Sequence, residues 1–114
     1  MPKVKLSPLP AAAFQILMAL VDEDLHGYEI MRRVEEQTSG RLRLGPGTLY
    51  SSIQALLQAA FIAEVASPAD AGDERRRYYR LTVAGRKAGR DEAERLADLL
   101  RVARAKKILR GEYV

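Results

Sequence analysis

Arg75, Arg76 and Arg77 stand in a row, and Arg80, Arg86, Lys87 and Arg90 follow before any acid intervenes. Guanidinium groups at that density suit one chemistry above others, the charge-assisted and often bidentate contact with phosphate. They equally suit a solvated hairpin edge, where charge discourages sheet-to-sheet pairing. The neighbouring acids Asp70 and Asp73 would repel phosphate if they led the approach. Upstream, Gly47, Ser51, Gln54, Ala55 and Gln58 share one side of a helical wheel, with Tyr50 at its boundary. That side carries no charge. Ser51 and Gln54 can read base edges without a desolvated charge to compensate, or they form an ordinary solvated face. Thr48 stands either to contact phosphate or to help cap the helix. Tyr50 stands either to touch a nucleic acid through its hydroxyl or ring, or to pack half-buried against a following hairpin.

Other chemistries are excluded by composition. The 114 residues include no Cys and one His, so disulfides, thiol catalysis, Cys-ligated zinc and a two-His relay are absent. There is no metal-ligand spacing, no Gly-rich phosphate loop and no Ser/His/Asp set, and Asp22-Glu23-Asp24 reads as a helix end. No catalytic, cofactor or metal site is expected. His26 reads as a structural residue at a helix start, and Gly27 and Tyr28 as packing residues.

Length and a hydrophobic content of 47% with 30% charged residues fit a single globular domain. The apolar stretch Ala11 to Val21 is broken by Gln15 and is too short for a bilayer. With no apolar signal region at the N-terminus, the chain reads as cytoplasmic. The net charge of +4 is unevenly spread: residues 1–57 balance six basic against six acidic groups, and residues 58–114 hold thirteen against nine. Localised basicity of this kind is the footprint of a polyanion binder.

The elements that must position these groups follow from periodicity. A first helix starts near Pro10, with Phe14, Leu17, Met18 and Val21 as its apolar stripe. A second spans about His26 to Thr38, facing Ile30, Met31 and Val34 inward and stopping at Ser39-Gly40. Arg41 to Leu44 alternates as a very short strand. Gly45 as N-cap and Pro46 as first residue open a third helix to about Ala60, with Leu49, Ile53, Leu56 and Ala60 inward. Phe61 to Ser67 and Glu74 to Leu81 read as two strands around the turn Pro68 to Asp73. Thr82 caps a terminal helix from Val83 to Arg110, about 40 Å long by the usual rise per residue. Its stripe of Leu96, Leu99, Leu100 and Ala103 outruns any partner within the chain and predicts dimerisation. Helix, helix, short strand, helix, then a hairpin is the order of a winged helix-turn-helix, a mainly α (α+β) fold in which a recognition helix precedes a reaching hairpin.

Three strings sharpen this. His26-Gly27-Tyr28-Glu29-Ile30 opens the second helix, Gly47-Thr48-Leu49-Tyr50 opens the third, and Arg76-Arg77-Tyr78-Tyr79-Arg80-Leu81-Thr82 closes the hairpin, with Gly85-Arg86 just beyond. In this order and spacing, over about residues 9–90, they resemble the PadR family of bacterial transcriptional regulators. The resemblance implies a homodimeric repressor that binds double-stranded DNA through residues 1–82. Its dimerisation helix would be residues 83–114, as in the short members. The family's tyrosine in the Gly-Thr-Leu-Tyr string matches Tyr50. The resemblance further implies a small aromatic effector at the dimer interface, where Ala93, Leu96, Ala97 and Leu100 would line the surface. The Trp of well-known members has no counterpart here. The contrasting expectation is a winged-helix protein-interaction module without specific DNA binding.

Overall fold

Pro10 is extended, with ψ at 150°, and its carbonyl accepts the Phe14 N–H at 3.0 Å, which starts the first helix where a missing N–H costs nothing. The computed structural model describes residue 6 and residues 8–68 and 76–110. Within them the order is α1 (Ala11–Ala19), β1 (Leu25–His26), α2 (Gly27–Gln37), α3 (Pro46–Gln58), β2 (Ile62–Val65), β3 (Tyr78–Leu81) and α4 (Val83–Ala105). The core forms where α1 meets α2, α3 and α4 at once. Ile16, Leu17, Leu25, Ile30, Val34, Leu49 and Leu56 are its fully buried members. Being enclosed on three sides, α1 buries Ala13, Ile16, Leu17 and Ala19, while Phe14, Met18 and Val21 of the expected stripe are only half-buried.

Helix α2 begins as expected. The His26 ring accepts the Glu29 N–H at 3.2 Å, and the Glu29 carboxylate accepts the His26 N–H at 3.1 Å, a reciprocal cap that satisfies two of the helix's orphan donors. It ends through Ser39 and Gly40, both left-handed at φ 53° and 78°, with the Gly40 N–H returning to the Glu35 carbonyl. Arg41 to Leu44 is not a strand. Leu44 is buried and Leu42 half-buried, so the alternation is that of a segment laid on the core. The place beside β3 is taken by β1, which pairs Leu25 with Tyr79 and His26 with Tyr78.

The sheet order is β1-β3-β2, with β2 antiparallel to β3 and Ile62 opposite Leu81. Both strands of the hairpin are shorter than expected. As the central strand, β3 is covered on both faces: Tyr79 enters the core, and Tyr78 meets the His26 ring edge-on at 5.3 Å. Helix α3 starts at Gly45 and Pro46 but stops at Gln58. Ala60 turns left-handed at φ 62° and is exposed rather than inward-facing, which sends the chain into β2.

Thr82 ties α4 to that corner. Its hydroxyl accepts the Gly85 N–H at 3.0 Å and donates to the Ala60 carbonyl at 2.7 Å. Gly85, Gly89 and Glu92 are the buried residues of α4. The helix closes at Ala105 instead of Arg110, because Lys107 adopts φ 58°. Its 23 residues reach about 34 Å.

Glu92 is held by both nitrogens of a bidentate Arg95, at 2.9 and 2.5 Å, and by the Leu9 backbone N–H. The Arg95 hydrogen bonds hold its carboxyl below the ordinary value of 4.5. A carboxylate depressed in the folded state contributes stability that is complete above 4.5 and is lost as pH falls through its folded value. Glu92→Gln should therefore lower the unfolding free energy measured in urea at neutral pH by roughly 0.5–1.5 kcal/mol and flatten the acid limb of stability against pH. A limb of unchanged steepness would place the acid sensitivity elsewhere.

Candidate nucleic-acid interface

Burial of Leu49, Ile53 and Leu56 on one side of α3 turns its other side outward. Gly47, Thr48, Ser51, Gln54 and Gln58 are all exposed there, as the helical wheel requires. The Ser51 hydroxyl donates to the Thr48 carbonyl at 3.2 Å, and its oxygen keeps its capacity to accept. The N-cap, Gly45, makes no side-chain cap hydrogen bond, and Thr48 stands exposed in the first turn.

Tyr50 leans from this face toward α2. A side chain at Gly27 would put its Cβ 2.8 Å from the Tyr50 hydroxyl, so the phenol lies over the first turn of α2 only because residue 27 has none. Tyr50 nonetheless remains 54% exposed, and Tyr28 beside it is 59% exposed. Tyr28 packs one side of its ring against His26, with centroids 6.5 Å apart, and exposes the rest. It sits two positions before the inward Ile30, about 200° round the helix.

The hairpin base completes the wall. Arg76 Nη1 lies 2.8 Å from His26 Nε2, and Arg77 Nε lies 3.5 Å from Glu64. Together with Tyr79 these residues enclose an open cleft of about 470 Å³. Burial first, then the nearby Glu64 carboxylate, pushes the Tyr79 phenol up, so it is a donor at neutral pH. Arg80 is turned away from the cleft into a fork on Asp24, at 2.8 to 3.2 Å, and Arg86 donates to the Val21 carbonyl.

The structure therefore brings Tyr50, Arg76 and Arg77 into one cleft and sets Thr48, Ser51 and Gln54 on the adjoining helix face. Arg75, with Asp70 and Asp73, lies outside the described residues. Tyr28 is the surface residue that sequence reading passed over; the same wheel arithmetic that exposed Gln54 would have found it. On α4, Leu96, Leu99 and Leu100 are 39%, 53% and 39% exposed, and Ala103 is half-buried. Among the described residues no helix is long and apolar enough to cross a membrane, and no group of acids and histidines could hold a metal.

Residues 16–91 match the model of the transcriptional regulator PadR-like family. A curated relative, an uncharacterized 37.1 kDa protein in a Streptomyces fradiae transposon, is 38% identical over 88 residues. That match takes in 77% of this chain, which spans only 24% of the relative's length. A second, uncharacterized protein X of Lysinibacillus sphaericus, is 32% identical over 62% of this chain and 64% of its own length. Among solved structures, a PadR family transcription regulator from Clostridium difficile superposes at a TM-score of 0.74. It is 24% identical, over 84% of this chain and 97% of that one. Bacillus subtilis PadR, solved in complex with operator DNA, superposes at 0.61 with 23% identity, over 74% of this chain and 47% of that one. These two likenesses establish the winged-helix fold with its long closing helix. With two thirds of the sequence inside the family model, the chain belongs to the transcriptional regulator PadR-like family.

Proposed function

We propose that this chain is a sequence-specific regulator of transcription that binds duplex DNA in the bacterial cytoplasm as a homodimer and represses by occupying an inverted repeat near a promoter. The observation that supports this most is the continuity of two unlike surfaces. An uncharged, hydroxyl- and amide-bearing face of α3 runs into a cleft walled by guanidinium and phenol groups. Base edges are matched by the first and backbone phosphates by the second. Ser51 and Gln54 read bases, Thr48 and Tyr50 stand at the edge of that face, and Arg76 and Arg77, joined by Arg75, draw the backbone. Residues 1–82 serve DNA and residues 83–114 the dimer, with the first turns of α4 built into the core. Relief by a small aromatic effector belongs to the same reading, since Ala93, Leu96, Ala97 and Leu100 are exposed on α4.

Selection of bound sequences from a random duplex pool is the decisive experiment. It should return an inverted repeat with half-site centres about 10 base pairs, or a multiple, apart. A pool that stays random removes specific regulation. With the selected site in hand, Gln54→Ala should narrow the gap between specific and random duplex by about 1–3 kcal/mol, as a bidentate amide contact requires. Arg76→Ala with Arg77→Ala should weaken both duplexes together and reduce the salt slope by roughly one per phosphate contact. An unchanged slope would mean that the hairpin does not meet the backbone.

A further inference from the structure

His26 is the only histidine in the chain, and there is no cysteine. It is thus the one side chain whose ordinary ionisation range lies between about pH 6 and 8. The ring is 7% exposed, so solvent ions screen it poorly. Groups from three elements face it. From α2 come the Glu29 N–H, 3.2 Å from Nδ1, the Glu29 carboxylate, with Oε1 3.3 Å from Nε2, and the stacked ring of Tyr28 at 6.5 Å. From the hairpin come Arg76, with Nη1 2.8 Å from Nε2, and the edge-on ring of Tyr78 at 5.3 Å. Arg77, Tyr79 and, from α3, Tyr50 line the same cleft. Tyrosines ionise far above this pH range, so the charges in play are those of Glu29, Arg76 and Arg77.

A neutral imidazole has one donor and one acceptor nitrogen. With its proton on Nε2, the ring serves the Glu29 carboxylate and leaves Nδ1 to cap α2. With its proton on Nδ1, it leaves Nε2 to accept from Arg76. Either way it carries no charge. A second proton makes both nitrogens donors. The cap on the Glu29 N–H is then lost, and two cations stand side by side, with the Glu29 carboxylate to offset them. A duplex phosphate drawn to Arg76 and Arg77 changes this balance, because an anion close to the ring favours its charged form. The lost cap is common to the free and the bound chain and cancels between them.

We propose that duplex binding takes up a proton at His26, so that the chain grips DNA more tightly as pH falls. The assignment rests on the DNA-binding reading above and goes beyond it. Its sign follows from linkage: a group that binds its proton better in the complex makes the complex tighter wherever that proton is available. Both duplexes, random and selected, share the effect, because the coupling runs through charge on the backbone and not through bases. His26 thereby acquires a second role beside the capping of α2, and a fall in pH deepens repression without any small-molecule effector.

The test titrates the full chain with a random-sequence duplex at about pH 8, 7 and 6 and constant ionic strength. Affinity should rise by about tenfold over that range for each cleft engaged, the change that one added opposite charge produces. A single histidine also gives a single ring Hε1 resonance, so its ionisation can be followed by NMR in the unsubstituted chain. That resonance should titrate at higher pH with duplex bound than without. His26→Asn keeps a side-chain oxygen for the Glu29 N–H and loses the titrating ring, so its affinity should vary by no more than about twofold over the same range. A flat pH dependence in the unsubstituted chain overturns the coupling and leaves the DNA-binding reading standing. A resonance that titrates alike with and without duplex does the same. An asparagine variant with the full pH dependence also overturns it, since the proton would then be taken up elsewhere, as at the α-amino group. Should that variant fail to fold, the resonance decides. A chain that binds no duplex at any pH removes the DNA-binding reading, and the coupling with it.

Discussion

Gly85→Ala should cost about 3 kcal/mol or more and lower the thermal midpoint by more than about 10 °C, the largest loss expected of an alanine at any of the described glycines. A Cβ at residue 85 would lie 1.9 Å from the Phe61 carbonyl oxygen and 2.8 Å from its carbon. Those are backbone atoms and cannot rotate aside. The same carbonyl accepts the Thr82 N–H at 3.1 Å, and Thr82 holds the Ala60 carbonyl, so the corner into β2 and the start of α4 are strapped together. Relief of the clash must separate them, and with them the seat of α4 on α1. Gly89 lies one turn further along and supplies the control. Its added Cβ would meet the end of Met18, a flexible thioether, at 3.2 Å. Gly89→Ala should therefore be neutral or stabilising by up to about 1 kcal/mol, the ordinary gain of alanine over glycine in a helix. Thermal melts of the two variants separate clash from propensity, because propensity acts alike on both. Equal midpoints would mean that α4 is not seated against the Phe61 carbonyl.

This contrast also marks how far the sequence can be read. Helix starts were legible because their signals are local: Pro10, His26 with Glu29, Gly45-Pro46 and Thr82 each carry their own capping chemistry within three or four residues. The end of α2 was legible too, at Ser39-Gly40, but the ends of α3 and α4 were not, since Ala60 and Lys107 terminate them in left-handed conformations that neither residue type announces. The strand Leu25–His26 has two residues and no period, so it is defined only by its pairing with β3, more than fifty positions away. The neutral face of α3 followed from arithmetic at 100° per residue, because Leu49, Ile53 and Leu56 fix which way the helix turns. The cleft could not follow from such arithmetic. It depends on Gly27 meeting Tyr50 and His26 meeting Arg76, and those contacts exist only after the helices and hairpin are packed.

Leu96→Asp with Leu100→Asp should convert a dimer into a folded monomer and lower affinity for the selected inverted repeat by about 10²–10⁴, the gain otherwise supplied by two linked binding modules. Leu96, Leu99, Leu100 and Ala103 lie at intervals of three, four and seven residues, one face of α4, while Glu94, Asp98 and Arg101 fall on the opposite side. Within one chain that apolar face has little to lean on, and the three leucines stay between 39% and 53% exposed. A second copy brings the same face, and a two-fold interface is self-complementary by construction. Burying each leucine contributes about 1.5–3 kcal/mol, and each substitution acts twice across the two-fold axis. Placing a carboxylate there adds the cost of desolvating a charge with no partner. Folding should survive, because the buried residues of α4 are Gly85, Gly89 and Glu92, on its first half. Sedimentation should thus report a dimer mass for the unsubstituted chain and a monomer mass for the doubly substituted one, with far-ultraviolet helix content preserved. Each monomer keeps its α3 face and its cleft, so it should still bind a single half-site with the salt slope of one module. A dimer mass for the doubly substituted chain would move the interface off this stripe. Full affinity for the repeat from a proven monomer would show that the two half-sites are bound independently.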